Sequence, residues 1–328
     1  MKQAFTDKGQ PGTLQERQSR RAGARRKRAS VSATPAEVPP EVQEEIVRHR
    51  YLLHMQGGQL FPRGIDIEDL ERVLDIGCGS GEWVFTLASR YPQLFICGVD
   101  IDRRLLQQAQ ARRNRAGLRQ LEFRHMDFAR PFPLAESSFD YVHMRACARY
   151  IAASAWPAVL AECRRVLRPR GWLTLVEIEL CDSSSRAFSE LRQLFNRCWY
   201  QLGHALDESG LSFGVASRLY GLLLAAGLSE VAYEVHIADL GRQSRPEAAP
   251  EGEVGASGAV ESADAIATLF LQQSLREVRL AAPLIIQQGL ISPSRLAALL
   301  EQAERDLQAP DLCGWGVIIS AYGRRPAQ

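Results

Sequence analysis

Short apolar runs alternate with stretches of helical spacing between residues 72 and 180. The apolar runs have the length of buried strands: "RVLDIG", "LFICGVD", "LEFRHM", "FDYVHM" and "WLTLVEIEL". The stretches between them place apolar residues three and four positions apart, which predicts helices: "EWVFTLASRY", "RRLLQQAQARRNRA" and "WPAVLAECRRVL". Strands that alternate with helices favour an α/β fold, with a parallel sheet covered by helices on both faces.

The parts of the chain on either side of this region are more helical. A helix is predicted from Glu41, and further helices are predicted in "SELRQLFNRCWYQLG" and "ASRLYGLLLAAG", near 263–278 and near 293–308. Ser292 or Ser294 is expected to cap the last of these helices. Two more strands are predicted, "SEVAYEVHIADL" and the closing "GWGVIISAYGRR".

The helical segments at 186–228 and 263–309 are expected to lie above the carboxyl ends of the strands. There they can form a lid or cap over an acceptor molecule, or they can pack against the sheet as part of the core. The intervening residues 242–262 are rich in Gly, Pro, Glu, Ser and Ala, a composition typical of a flexible insertion. We expect residues 41–328 to form one domain with this insertion and a helical lid over 263–309.

Residues 1–40 are polar and rich in arginine. The first 30 residues contain nine Lys and Arg against two acidic residues, whereas the net charge of the whole chain is only +2. Such a segment buries too little apolar surface to offset its ordering entropy, so a disordered basic tail is predicted. The tail either has no specific partner, docks an acidic partner or acts as a localisation signal. The near-neutral remainder argues against wholesale wrapping of nucleic acid.

Cysteine and histidine usage narrows the compartment and the chemistry. The seven cysteines form no CxxC pair, which is typical of reduced thiols and predicts a cytoplasmic protein. No apolar run approaches the ~20 residues of a membrane span, and no apolar core of a secretory signal follows the basic N-terminus. The six histidines show no metal-ligand spacing, so no metal is predicted.

A glycine-rich turn follows the first strand of the alternating region, in "DIGCGSG" from Asp75 to Gly81. Glycines there permit a tight turn and a close approach of ligand to backbone. A dinucleotide site requires the pattern G-x-G-x-x-G/A, but counting from Gly77 the sixth position is Glu82. An acidic side chain at a helix N-terminus opposes a pyrophosphate, and no Gly-Lys-Ser/Thr follows for a P-loop.

Three carboxylates end three successive strands: Asp75, Asp100 and Asp127. Ligands of open α/β sheets bind at this edge. Asp100 can accept hydrogen bonds from ribose hydroxyls, and Asp127 can accept one from the exocyclic amine of adenine. Asp75 can orient the turn or bind an ammonium group. The pattern therefore favours a ligand that has ribose and adenine but no phosphate.

These stretches resemble the class I S-adenosylmethionine-dependent methyltransferases. The likeness lies in "VLDIGCGSGEW", "GVDID", "HMDF", "SFDYVHMR" and "RVLRPRGWLTLVE". The resemblance implies S-adenosylmethionine as cofactor and a Rossmann-like seven-stranded sheet whose last strand is antiparallel, inserted beside "VAYEVHIADL". It implies a cofactor site formed by Asp75, Gly77, Cys78, Gly79, Gly81, Asp100, Ile101, Met126, Asp127 and Phe128.

A narrower likeness is to the methyltransferase group that includes fungal regulators of secondary metabolism. It rests on "GGQLF", "FDYVHMR", the helix at Trp156, "RGWLTLVEIE" and "LLLAAGLSEV". The chain departs from the family at Arg170-Gly171, where Gly-Gly is usual before the fifth strand. One glycine remains, so we expect the turn to survive.

Methyl transfer from a sulfonium is an in-line displacement that depends mainly on alignment, and a base is needed only when the acceptor holds its proton tightly. His143 is predicted as a general base or a substrate contact, with a purely structural histidine as the alternative. Arg145 is expected to hold an acidic substrate, the cofactor's carboxylate or a structural partner. Structural roles are favoured for Tyr51 and Arg63.

Two glutamates and one cysteine near the predicted site have no role that the sequence assigns. Glu177 and Glu179 fall on the same face of a regular strand, so their roles cannot be separated by strand alternation. Cys147 lacks the Pro-Cys context of a methyltransferase nucleophile, which argues against a covalent role.

Three functions fit these observations. The first is a methyltransferase acting on a small-molecule acceptor, preferably at oxygen, with nitrogen or carbon as alternatives. The second is a protein or regulatory methyltransferase whose basic tail docks a partner. The third is a cofactor-binding regulator without turnover.

Overall fold

The structure is a computed structural model that describes residues 39–239 and 263–327. The predicted flexible insertion and all but the last two residues of the predicted tail lie outside the described residues. The helices are α1 (Pro40–Met55), α2 (Glu82–Arg90), α3 (Arg103–Ala116), α4 (Trp156–Val166), α5 (Arg186–Gln201), α6 (Leu219–Ala225), α7 (Ala263–Gln287) and α8 (Pro293–Asp306). The strands are β1 (Arg72–Ile76), β2 (Phe95–Asp100), β3 (Leu121–His125), β4 (Phe139–Arg145), β5 (Leu167–Ser183), β6 (Ser229–Asp239) and β7 (Gly314–Arg324).

The strands form one seven-stranded sheet in the order β3-β2-β1-β4-β5-β7-β6. β1 to β5 pair in parallel, and β7 runs antiparallel between β5 and β6. The predicted Rossmann-like sheet with an antiparallel last strand is therefore confirmed. The order reverses between β1 and β4, and an open α/β sheet binds its ligands in the crevice at such a point.

Burial explains why the central strands read as continuous apolar runs. Val73, Leu74 and Ile76 of β1 are fully buried, because helices cover both faces of the sheet. Side chains cap the N-termini of α3 and α8. Asp102 accepts hydrogen bonds from the first backbone amides of α3, and Ser292, of the two candidates, caps α8.

The turn expected before β5 at Arg170-Gly171 lies inside β5 instead, where its pairing with β4 shifts register, and it has an unusual conformation. Arg170 has a φ of 66°, in the left-handed region that favours glycine. Its backbone amide donates to the carbonyl of Arg325 at 2.9 Å. A Cβ on Gly171 would lie 2.9 Å from the carbonyl oxygens of Arg168 and Asp140. The single remaining glycine therefore occupies the position that has no room for a side chain, while Arg170 has the strained left-handed backbone conformation.

A second layer of helices packs against the sheet and α1. α7 packs against α1 and α5, and α8 packs against α5 and α7. α7 extends to Gln287, beyond the predicted helix, and contains Pro283. Among the described residues, no helix is both long and apolar enough to cross a lipid bilayer.

Candidate active site

A cavity of about 440 Å³ opens at the carboxyl ends of β1, β2 and β4. Most of the predicted cofactor residues line it: Asp75, Gly77, Cys78, Gly79, Asp100, Ile101, Asp127 and Phe128. Arg145, predicted on the acceptor side, lines it as well. Gly81, Met126 and His143 do not; Met126 is buried in the core instead. The structure thus brings together side chains from three strand ends that are about 25 to 70 residues apart in the sequence.

The turn after β1 leaves no room for side chains at two cavity positions. Gly77 and Gly79 have φ values of 74° and 54°. A Cβ on Gly77 would lie 2.7 Å from Sγ of Cys147, and one on Gly79 would lie 2.9 Å from Oε2 of Glu45. Both glycines are therefore required by conformation and by space, and the bare backbone between them faces the cavity.

Asp100 is held by the backbone in a way that suits a ribose. The amide of Gly79 donates to its Oδ2 and the amide of Asp102 to its Oδ1, both at 2.8 Å. Asp100 lines the cavity, and a carboxylate oxygen that accepts one hydrogen bond can accept another, so a diol can donate to both oxygens. Burial raises the pKa of Asp100 above its usual value.

The far end of the cavity suits an adenine. Asp127 accepts from the amide of Ala129 at 2.9 Å and pairs with Arg130 at 3.3 Å. Beside it, the apolar side chains of Ile101 and Phe128 line the cavity. Ile101 is 57% exposed, so its side chain is accessible to a flat ring bound in the cavity. The residues present therefore fit an adenosyl group whose ring packs against Ile101 and Phe128 and whose amine donates to Asp127.

Asp75 is almost fully buried against His143 in the floor of the cavity. Nδ1 of His143 lies 2.8 Å from Oδ1 of Asp75, and Trp83 stacks on the imidazole with a centroid distance of 4.0 Å. Burial lowers the pKa of His143, which favours the neutral ring with its proton on Nδ1. His143 thus orients Asp75 from behind the cavity wall. The catalytic role predicted for His143 stays a prediction.

Arg145 is oriented by a residue from outside the sheet. Its NH2 group lies 2.9 Å from Nδ1 of His49 on α1, and Nε2 of His49 lies 2.9 Å from the hydroxyl of Thr86. Burial and the charge of Arg145 hold the pKa of His49 well below its usual range, so neutral His49 accepts from Arg145. The NH1 group of Arg145 is buried with no hydrogen-bond partner among the described residues. A carboxylate in the cavity would satisfy it.

The walls supplied by α1 were missed by sequence reasoning. Glu45, Arg48, His49 and Leu52 all line the cavity. Their spacing of three, four and seven residues places them on one face of a helix, which is the signal that could have identified them. Tyr51 is buried against Phe270, in agreement with a structural role.

Glu177 and Cys147 lie together beside the cavity. Oε1 of Glu177 accepts from the amides of Cys147 and Ala148 at 2.8 and 3.0 Å, and burial raises its pKa to about 8. Burial also raises the pKa of the Cys147 thiol well above its usual value, which disfavours a nucleophilic thiolate. A bulge in β5 near Glu179 separates the two glutamates, because Glu177 is buried while Glu179 accepts from Ser217.

A second, smaller cavity adjoins the first. The two share the lining residues Arg48 and Ala146, and the second also has Glu177 in its wall. Within residues 39–239 and 263–327, no three His, Cys, Asp or Glu side chains come together as metal ligands.

Comparison with known proteins gives the same assignment as the cavity. Residues 73–171 match a protein family described as a methyltransferase domain. The secondary metabolism regulator laeA of Monascus pilosus is 34% identical over 144 residues, which cover 42% of this chain and 35% of the regulator. A laeA protein of Emericella nidulans, named a protein-methionine methyltransferase, is 30% identical over 171 residues, 50% of this chain and 41% of that protein. The match thus spans well under half the length of these curated relatives.

Two solved structures with a similar fold come from Haemonchus contortus and Bacillus subtilis. Phosphoethanolamine N-methyltransferase 2 of Haemonchus contortus, in complex with S-adenosyl-L-methionine, is 17% identical with a TM-score of 0.44, covering 87% of this chain and 52% of that one. The YcgJ protein of Bacillus subtilis is 16% identical with a TM-score of 0.45, covering 85% and 99%.

The matched segment 73–171 contains the bare-backbone turn and the three strand-end carboxylates that line the cavity. The sheet around it has the seven strands that the resemblance implies, with the antiparallel β7 beside β6. Residues 73–171 are therefore similar to a methyltransferase domain, and the cavity residues fit S-adenosylmethionine, the cofactor that the resemblance to the class I S-adenosylmethionine-dependent methyltransferases implies.

Proposed function

We propose that the chain transfers a methyl group from S-adenosylmethionine to a small-molecule acceptor, preferably at oxygen, with nitrogen or carbon as alternatives. The observation that carries this proposal is the pair of adjoining cavities. The larger has the groups for an adenosyl ligand, and the smaller adjoins it through Arg48 and Ala146. An acceptor that extends from the smaller cavity into the larger one can be aligned with the cofactor.

Each cavity residue has a distinct task in this proposal. Asp100 binds the ribose hydroxyls, Asp127 the adenine amine, and Asp75 the ammonium group. Arg145 pairs with the cofactor's carboxylate through the NH1 group of its guanidinium, which has no hydrogen-bond partner among the described residues. When bound, the cofactor supplies an electrophilic methyl group on a sulfonium, so the leaving group needs no acid. The protein therefore mainly holds and aligns the reactants.

An oxygen acceptor must lose a proton, and Glu177 is the group in the smaller cavity best suited to take it. Its pKa of about 8 lies close to physiological pH, so the ionised fraction of the carboxyl, a minority below pH 8, can act as the base. His143, predicted from the sequence for this task, is 2% exposed and lies outside the linings of both cavities. His143 is the alternative base, and the pH dependence of turnover in variants of Glu177 and His143 distinguishes the two candidates.

The test begins with calorimetry of S-adenosylmethionine and S-adenosylhomocysteine binding. Asp100→Ala is expected to weaken both affinities roughly 10- to 100-fold, since a hydrogen bond to a charged group contributes about 1.5–3 kcal/mol. The exposed Asp311→Ala is the matched control and should bind like the wild type. No affinity in the wild type, or unchanged affinity in Asp100→Ala, would overturn the proposal.

Turnover then distinguishes the acceptor classes. With cofactor labelled in the methyl group, incubation with fractionated extract should place label in the small-molecule fraction. A protein acceptor is the second candidate, because the Emericella nidulans relative is named a protein-methionine methyltransferase. Label only in protein, lost on deletion of residues 1–40, would favour that candidate. Binding without label in either fraction would favour a regulator without turnover.

A further inference from the structure

The smaller cavity is lined by an unusual concentration of charged side chains. It measures about 60 Å³, enough for a few water molecules at about 10–15 Å³ each, and therefore for a carboxylate or phosphate group. Its charged lining residues come from α1, the turn after β4, β5, α5 and α7: Arg48, Arg149, Glu177, Arg192 and Glu277.

Glu277 is the common ion-pair partner of the three arginines. Its carboxylate lies 2.7 Å from Arg149, 3.7 Å from Arg48 and 3.8 Å from Arg192. Arg48 is also paired with Glu45, at 2.8 Å. Three guanidinium groups thus share two carboxylates. Glu177 adds little negative charge at neutral pH, because its pKa of about 8 keeps the carboxyl mostly protonated.

The guanidinium groups also keep unused donors. Nε and NH1 of Arg192, Nε of Arg149 and Nε of Arg48 are buried with no hydrogen-bond partner within the described parts of the chain. A buried unpaired donor on a charged group costs several kcal/mol in general, so such groups are normally satisfied by a partner. Arg149 and Arg192 stack on the rings of Tyr150 and Phe195 at 4.8 and 4.9 Å.

We propose that this cavity binds an anionic group of the methyl acceptor, a carboxylate or a phosphate. The inference rests on the proposed function and narrows it to anionic acceptors. Arginine forks bind both groups bidentately, and stacking on the rings fixes the guanidinium planes before the anion arrives. The cavity takes only the anionic end, and the remainder of the acceptor extends past Ala146 toward the cofactor.

The site is distinct from that for the cofactor's own carboxylate. Arg149 and Arg192 line the smaller cavity and not the larger one, whereas Arg145 lines only the larger. An anion held by Arg149 and Arg192 is therefore expected to bind while the cofactor site is full. This property separates the two sites experimentally.

The experiment titrates inorganic phosphate and, separately, acetate into the full-length protein saturated with S-adenosylhomocysteine. Saturable binding of at least one probe is expected, and the tighter probe identifies the anion class. Arg192→Gln should weaken it roughly tenfold or more, corresponding to about 1.4 kcal/mol. The matched control is Arg295→Gln, an exposed arginine paired with Glu190, which should bind like the wild type.

Three results would overturn the inference: binding of neither probe, displacement of the probe by S-adenosylhomocysteine, or equal binding by Arg192→Gln. The affinity of every variant for S-adenosylhomocysteine is measured in parallel. If the wild type does not bind S-adenosylhomocysteine, the proposed function is overturned. This failure is distinguishable from a failure of the anion site, in which S-adenosylhomocysteine binds but the anion does not.

Glu277→Gln provides a test in the opposite direction. Removing this carboxylate frees the three arginines from their shared partner, so phosphate or acetate should bind several-fold more tightly than to the wild type. The same anion should raise the melting temperature of Glu277→Gln more than that of the wild type. If the variant is less stable and anions neither bind to it more tightly nor restore it, the inference is wrong.

Discussion

Asp75 on β1 and His143 on β4 are register neighbours, and Nδ1 of His143 donates to Oδ1 of Asp75 at 2.8 Å. The two side chains are 4% and 2% exposed. Since burial lowers the pKa of His143, the neutral ring donates one hydrogen bond to a carboxylate that lines the cofactor cavity. The hydrogen bond therefore fixes the orientation of the Asp75 carboxylate, and the catalytic role predicted for His143 stays a prediction.

His143→Gln should weaken cofactor binding several-fold, because Asp75 loses its orienting donor. The pH dependence of kcat should keep its shape. Calorimetry and a pH–rate profile check both points. Loss of the low-pH limb in His143→Gln, with cofactor affinity intact, would instead identify His143 as the general base.

Arg145→Gln should discriminate between ligands that differ in one carboxylate. Affinity for S-adenosylhomocysteine should fall roughly tenfold or more, because the NH1 group no longer meets the ligand's carboxylate. Adenosine has no such carboxylate and should bind as tightly as to the wild type. An equal loss of affinity for S-adenosylhomocysteine and for adenosine would show that Arg145 has a structural role and does not bind the carboxylate of S-adenosylhomocysteine.

Gly79→Ala should reduce both stability and cofactor affinity. Its Cβ would lie 2.9 Å from Oε2 of Glu45, in addition to the ~1–2 kcal/mol of a left-handed backbone. Gly117→Ala is the matched control, because Gly117 has a φ of 66° and nothing within 4 Å of its Cβ position. It should lose stability by about 1 kcal/mol and bind cofactor normally. Thermal unfolding and calorimetry distinguish the two variants.

Glu177 should make the protein less stable as pH rises. Its carboxyl has a pKa of about 8 in the fold against an ordinary 4.5, so the folded state holds the extra proton between these values. Stability should therefore fall between about pH 4.5 and 8, by at most ~1.4 kcal/mol per pH unit from this group. The charged and titratable groups near it are Arg48, Tyr51, Cys147, Arg149, Glu179, Arg192 and Glu277.

Glu177→Gln should remove this part of the pH dependence, since an amide oxygen can still accept from the amides of Cys147 and Ala148. Urea unfolding at several pH values compares the variant with the wild type. Glu301→Gln, on the exposed face of α8, should follow the wild type. A slope that survives in Glu177→Gln would mean that other groups carry it.

The sheet and the strand-end carboxylates were predictable because both are local signals. Apolar runs of strand length and their spacing determine the α/β order, and Asp75, Asp100 and Asp127 each lie within two residues of the end of a strand. The contacts across the cavity are not local. His49 meets Arg145 across 96 residues, and Glu277 meets Arg149 across 128. Periodicity identifies the face of a helix but not the distant surface that the face covers.

His143 shows the same limit for a single residue. Its place near the end of β4 suggested the acceptor side, but strand alternation does not say which neighbours bury a side chain. The stacked indole of Trp83 and the carboxylate of Asp75 enclose it. Similarly, the positive φ of Arg170 follows from its hydrogen bond to Arg325 near the chain end, which no local pattern reports.

The helix at Pro40–Met55 supplies a wall of the cofactor cavity, yet it lies outside the matched segment 73–171. A fragment trimmed to that segment would keep the aspartates and the glycine turn but would leave the ligand exposed along one side. The boundaries of the matched segment and of the cofactor cavity therefore do not coincide, and any excised domain meant for assay has to begin upstream of this helix.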